Sequence, residues 1–216
     1  MDWSVIATHL PFLMKGLWMS VKLATLVVIF AFPLACLIAV GRISSRSWIR
    51  YPSAIFVNTM RSNPLILIVF WFFFLVPIII GRPVGDFASV MIGFIVFFSA
   101  YFTEIIRSGI QSVGRNQIQA GLSTGLTYFQ TMRMIVLPQA LRNMMPALIT
   151  ECVIVFQGTT IAYVVGLREF LNSTFLITEI TLRPAELYTF AAIVYFVVCF
   201  AGSSLARQME KRKVRT

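Results

Sequence analysis

Gln119-Ala120-Gly121-Leu122-Ser123-Thr124-Gly125, followed by Ile135-Val136-Leu137-Pro138-Gln139-Ala140, lies in a polar segment between long apolar blocks. Arg115, Asn116, Gln117 and Gln119 demand more hydrogen bonding than hydrocarbon can supply, so the segment stands in water and presents a shaped surface. The local chemistry predicts two short helices at an angle. Ala120 to Thr124 closes the first, and Gly125 suits the left-handed turn at its end. Thr127 with Gln130 three positions on is the signature of a capping box opening the second. Pro138 has no amide hydrogen to give and is expected to limit that helix.

The flanking blocks define the class. The chain is 58% apolar, 14% aromatic and only 12% charged, a membrane composition. Crossing ~30 Å of hydrocarbon takes about 20 helical residues. Uncharged windows at 23–41, 62–81, 87–103 and 187–206 meet or approach that length, and 143–167 adds a fifth holding one carboxylate, Glu151. With their flanks they predict spans over roughly 17–41, 62–81, 87–112, 143–165 and 186–206, with a polar loop at 113–140. The expectation is an all-α membrane protein of five transmembrane helices, one domain over 1–216. The first apolar run is too long for a signal-peptide core.

The net charge of +10 is unevenly spread. Arg42, Arg46 and Arg50 follow the first span; Arg107, Arg115, Arg133 and Arg142 flank the loop; Arg207, Lys211, Arg212, Lys213 and Arg215 form the tail. Only Lys15, Arg82, Arg168 and Arg183 mark the other side. That is the positive-inside pattern, which puts the amino terminus outside and the carboxyl terminus in the cytoplasm. It argues against a nucleic-acid partner. Cys36, Cys152 and Cys199 fall in apolar segments as small buried hydrophobes. With His9 as the only histidine, no zinc constellation is expected.

Residues 1–15 are expected as an external interfacial piece with Trp3 and Phe12 near the headgroups, and Pro33 as a kink in the first span. The connection 166–183 is too apolar for a free loop and is expected to pack on the bundle. Glu104 and Arg107 stand three apart and can pair, either supporting the helix or serving a gate or subunit contact. Gly158-Thr159-Thr160 allows a local helix break satisfied by hydroxyls, or a small-residue packing patch. Glu151, deep in its span, requires a partner or a wet cavity. Lys22 opens the first span from outside and is placed to snorkel.

Gln119-Ala120-Gly121, then Gly125, Ile135, Leu137 and Pro138, resembles the cytoplasmic "EAA" loop of ABC-importer permeases. Here Gln119 replaces the Glu and Gly121 the second Ala. Arg61-Ser62-Asn63-Pro64-Leu65, Ala100-Tyr101-Phe102-Thr103-Glu104-Ile105-Ile106-Arg107-Ser108-Gly109-Ile110 and Phe156-Gln157-Gly158-Thr159-Thr160 are similar to elements of the polar amino-acid permeases, above all the glutamate/aspartate subunits. The resemblance implies a non-catalytic permease of the bacterial inner membrane, with no cofactor bound by this chain and ATP/Mg on a separate ATPase. Its implied partners are an ATPase dimer, a second permease (identical or homologous), an extracytoplasmic amino-acid-binding protein and the lipid bilayer.

The resemblance implies ATPase coupling by Gln119, Ala120, Gly121, Gly125, Leu137 and Pro138. Lys22, Arg61, Glu104, Glu151, Gln157, Thr159 and Thr160 are the residues expected along the substrate pathway. Glutamate or aspartate is the expected cargo. Glutamine, basic or sulfur-containing amino acids are the alternatives, and an ATP-independent channel is a further one.

Overall fold

The computed structural model describes residues 3–82 and 84–214, with side chains through 210. The side chains of Lys211, Arg212 and Lys213, with Arg215 and Pro83, lie outside the described residues. Helix α1, Ser4–Ile43, runs unbroken for 40 residues through Pro11 and Pro33. At about 1.5 Å per residue it is roughly 60 Å long, twice the hydrocarbon thickness. The amino-terminal piece expected to lie apart is therefore a continuation of the first span. Ala31, Ala35 and Ala39 repeat along its buried face. Such small residues let another backbone approach closely. Helix α5, Asp86–Gln111, uses that face: Phe94, Phe98 and Phe102 are buried, and Thr103 Oγ1 donates to the Ala35 carbonyl at 3.3 Å.

The second span, expected over 62–81, is the helical rod Leu65–Ile80. Helix α2, Ser47–Ser62, meets the rod Leu65–Ile80 at 106°. Pro64 sets this corner, because it holds Asn63 extended at ψ 144° and ends α2 there. The rod comprises α3 (Leu65–Phe70), a π turn (Trp71–Leu75) and α4 (Val76–Ile80).

Helices α6 (Arg115–Ser123) and α7 (Tyr128–Thr131) follow α5. From Tyr128 the chain stays helical to Val165. It passes through a π turn at Met132–Val136, then α8 (Leu137–Gly158) and a 3₁₀ segment at Thr159–Val165. Pro138 thus does not end the helix as expected. Each π turn lies just before a proline, Pro77 or Pro138. A proline ring crowds the carbonyl four residues back and donates no bond to it; a wider turn relieves both problems.

Helix α9, Phe170–Thr181, fills the connection expected to pack on the bundle, and α10, Pro184–Val214, completes the fold. Leu13 of α1, Phe170 and Ile177 of α9, and Leu187 and Ala191 of α10 form a buried cluster at the end of the bundle opposite α6 and α7. The exposed apolar side chains of α1, α4 and α10, such as Leu37, Ile79 and Phe196, suit acyl chains.

Candidate functional site

The segment between α5 and α8 folds as the turn chemistry dictates. Gly125 stands at φ +85°, in the left-handed region, directly after the α6 cap. Thr127 Oγ1 accepts from the Gln130 amide at 3.3 Å, and Gln130 Oε1 accepts from the Thr127 amide at 2.8 Å, closing the capping box. Gly121 is where α6 crosses the helix Tyr128–Val165: a Cβ there would lie 2.7 Å from Thr131 Cγ2 and 2.9 Å from Ile135 Cδ1. Val113, Val136 and Ala140 make a small core holding the hairpin against the start of α8. Gln119, Ala120, Gly125, Leu137 and Pro138 stay exposed, while Gly121 is buried.

The hairpin also leaves large apolar side chains uncovered. Tyr128 is 63% exposed, Phe129 72% and Met134 65%, and Leu122 and Leu141 are exposed as well. Large apolar side chains exposed in a polar segment mark a contact surface.

Inside the bundle, Glu104 is saturated. It pairs with Arg107 through Nε at 3.0 Å, with a second short contact from Nη2, and with Arg42 of α1 at 3.2 Å. The α5 pairing expected from spacing is therefore part of a clamp that also holds α1. Lys22 lies apart from this region, exposed with its ammonium 5.2 Å from the Phe87 ring at the far end of α5. Thr159 Oγ1 donates to the Phe156 carbonyl and Thr160 Oγ1 to the Gln157 carbonyl, each at 2.8 Å. Their hydroxyls satisfy the 3₁₀ break itself. Gly158 packs closely as well, with its Cβ position 3.1 Å from Phe98.

Asn143, Thr150 and Gln157 share one stripe along α8 with Ala147 and Ile154. These positions follow alternating steps of four and three, and Ala147, Thr150, Ile154 and Gln157 are exposed. Polar side chains at membrane depth face a bundle interior or a wet cavity, not lipid. Beside the stripe, Glu151 is only 6% exposed, and its Oε1 has no hydrogen-bond partner among the described residues. It borders a cavity of about 540 Å³ lined by Ile105, Thr150, Ser203 and Arg207. Arg61, exposed in the last turn of α2, stacks on Tyr101 of α5 with its guanidinium 5.4 Å from the ring.

A family model described as "Binding-protein-dependent transport system inner membrane component" matches residues 31–215. The chain belongs to that family. It is a transport permease of the inner membrane. It is 36% identical over 218 residues to the glutamate/aspartate import permease protein GltK of Escherichia coli O157:H7, covering 98% of this chain and 97% of the relative. It is 33% identical over 208 residues to the probable glutamine ABC transporter permease protein GlnP of Bacillus subtilis (strain 168), covering 95% of each. Among solved structures, an amino acid ABC transporter crystallised with histidines matches with a TM-score of 0.92 at 29% identity, over 98% of this chain and 99% of that one.

Two features of this permease lay beyond the sequence reading. One is the role of Arg42 in the Glu104 clamp. The other is Glu169, a fully buried carboxylate that caps α9 by accepting from the Asn172 amide at 2.7 Å. Ser20 of α1 donates to it at 3.1 Å and Tyr195 of α10 at 3.2 Å. The signal available was an acid just before an apolar helix, a capping position. The long-range partners had no local signature.

Proposed function

We propose that this chain is one transmembrane half of an ATP-driven importer of acidic amino acids. It performs no chemistry of its own. A separate ATPase, with its ATP and Mg, docks on α6 and α7. The observation that carries this reading is the exposed apolar face of Tyr128, Phe129 and Met134 beside a hairpin shaped by Gly121, Gly125 and the capping box. The hairpin end also holds Arg42, Arg107, Arg115, Arg133 and Arg142, which supports a cytoplasmic location, with the amino terminus outside.

The polar stripe of α8 needs a wet pathway, and a second permease, identical or homologous, supplies the other wall. Arg61, Glu151 and Gln157 border that pathway; Thr159 and Thr160 shape its wall through the 3₁₀ break. A binding protein delivers the amino acid to the opposite face, as the family description implies. The preference for glutamate or aspartate rests on likeness to the glutamate/aspartate permease together with the Arg61-to-Leu65 and Phe156-Gln157 elements.

The test is Phe129→Asp in the co-expressed complex. The side chain is largely exposed, so the permease itself stays folded, while loss of an aromatic anchor weakens ATPase retention by about tenfold or more. Full ATPase retention with full uptake would remove α7 from the dock.

A further inference from the structure

Among the described charged side chains around the α5–α8 contact, Arg61, Glu151, Arg207 and Glu210 form no salt bridge. Glu104 is taken by Arg42 and Arg107. Arg207 donates to Ser204 Oγ at 3.0 Å and lies over the Phe200 ring. Asn143 donates to Ser112 Oγ at 2.8 Å. Arg207 and Glu210 stand at the α10 side of the cavity, whereas Arg61 rests on Tyr101 of α5 and the buried Glu151 has an Oε1 that accepts no hydrogen bond among the described residues.

Arg61 and Glu151 border the same face of α5. Gly158 abuts Phe98 and Leu65, fixing a common level for α3, α5 and α8. Arg61 stacks on Tyr101, about one turn further along α5. Glu151 shares its cavity with Ile105, about one turn beyond that. Arg61 is also the cation whose field reaches Glu151, yet no salt bridge joins them. A carboxylate buried without a hydrogen bond is costly, and the fold retains it next to a cation it does not touch. The cavity at Glu151 is of a size that suits a small ligand.

We propose that Arg61 and Glu151 form a two-ended site for the α-charges of the transported amino acid, Arg61 taking the α-carboxylate and Glu151 the α-ammonium. The Tyr101 ring fixes the guanidinium by cation–π contact so that its fork is presented ready-made. A ligand bearing both signs satisfies both groups at once, which neither achieves with the other. Thr150 and Ser203 line the same cavity and add hydroxyls. This inference rests on the permease reading above, and it gives the permease a selectivity separate from that of the binding protein.

The test uses the permease–ATPase complex in lipid nanodiscs, without binding protein, and labelled L-glutamate as probe. Unlabelled L-glutamate, glutarate (no α-ammonium) and 4-aminobutyrate (no α-carboxylate) compete. In the wild type, each analogue should compete at least about tenfold more weakly than glutamate, as expected where a buried group is left unpaired. Glu151→Gln should erase the preference over glutarate and keep that over 4-aminobutyrate; Arg61→Gln should do the reverse.

The wild-type arm needs no substitution and decides by itself. Glutarate competing as well as glutamate, or no glutamate binding at all, overturns the site. So does a Glu151→Gln complex that still discriminates against glutarate. ATP-driven glutamate uptake by the full assembly with binding protein separates the two levels. Uptake present with failed discrimination removes only the site; absent uptake of every amino acid removes the importer reading.

Discussion

Gly121→Ala isolates the packing of the hairpin from its surface chemistry. The new methyl would sit 2.7 Å from Thr131 Cγ2, 2.9 Å from Ile135 Cδ1 and 3.0 Å from Thr131 Oγ1. The isoleucine methyl is the far end of a flexible side chain and can swing away. Thr131 is β-branched, fully buried and close to its own backbone, so it cannot. Either α6 lifts or α7 shifts. Overpacking of this kind costs about 1–3 kcal/mol, and each 1.4 kcal/mol is about tenfold in an equilibrium. If the docked hairpin must hold this crossing, substrate-stimulated ATP hydrolysis in proteoliposomes should fall by about fivefold to a hundredfold. Thr131→Ser removes Cγ2, so Gly121→Ala with Thr131→Ser should recover much of the loss. The double-mutant cycle should then show a coupling of about 1 kcal/mol or more. Stimulated hydrolysis unchanged by Gly121→Ala, or a double variant no better than the single, would refute the reasoning.

Gly125 makes the complementary case, because a Cβ there meets nothing within 4 Å while φ is +85°. Gly125→Ala should cost about 1–2 kcal/mol of backbone strain, and Gly125→Asn less; equal uptake loss in both would contradict a purely conformational role. Glu104→Gln leaves Arg42 and Arg107 without their carboxylate and should lower unfolding stability in detergent by about 1.5–3 kcal/mol, with an unchanged melting curve as the adverse result. Burial pushes the Glu169 carboxyl above its ordinary value of 4.5 despite four hydrogen bonds that lower it. The native state therefore binds this proton more tightly than the unfolded chain. Stability from this group is full below pH about 4.5 and is lost as pH rises through the folded value. Glu169→Gln should flatten that slope in pH-dependent melting, and an identical slope in the variant would count against it. A cysteine at Gly85 should react with an impermeant thiol reagent on intact cells and one at Arg207 should not; the opposite labelling reverses the orientation.

What the sequence made legible was chemistry that is local in the chain. Gly125, Thr127 and Gln130 act within five residues of one another, so the hairpin's turn and cap could be read directly. The uncharged windows located membrane segments for the same reason. Element ends were harder. Proline carries one message in a lone helix and another when a π turn makes room for it, which is why Pro138 lies inside a continuous rod and Pro64 makes the sharp corner. The length of α1 was hidden because its first residues, including His9 and Lys15, dilute the apolar signal until α9 and α10 supply a packing surface. The direction of side chains was the least legible. Thr159 and Thr160 look free in sequence but bond their own helix, whereas Asn143, Thr150 and Gln157 share a face only once α8 is known to run as one helix over Leu137–Gly158.

That register joins the two surfaces. Tyr128, at the exposed apolar face, and Gln157, at the far end of the polar stripe, stand on one helix that runs unbroken to Val165. At about 1.5 Å per residue the rod is roughly 57 Å long, enough to carry a displacement from the hairpin to mid-membrane without an intermediate. Near its hairpin end it packs on α5: Gly109 has a Cβ position 2.9 Å from Met144 Cβ, and Asn143 reaches Ser112. At its far end Gly158 packs on Phe98 of α5. Between these contacts Glu151 borders the cavity beside Ile105 of α5. A shift of the rod against α5 changes the setting of that carboxylate relative to Arg61 on the α2 corner. Coupling the proposed dock to the proposed site requires an element whose two arrangements both sites bias, and this helix is the one that reaches both.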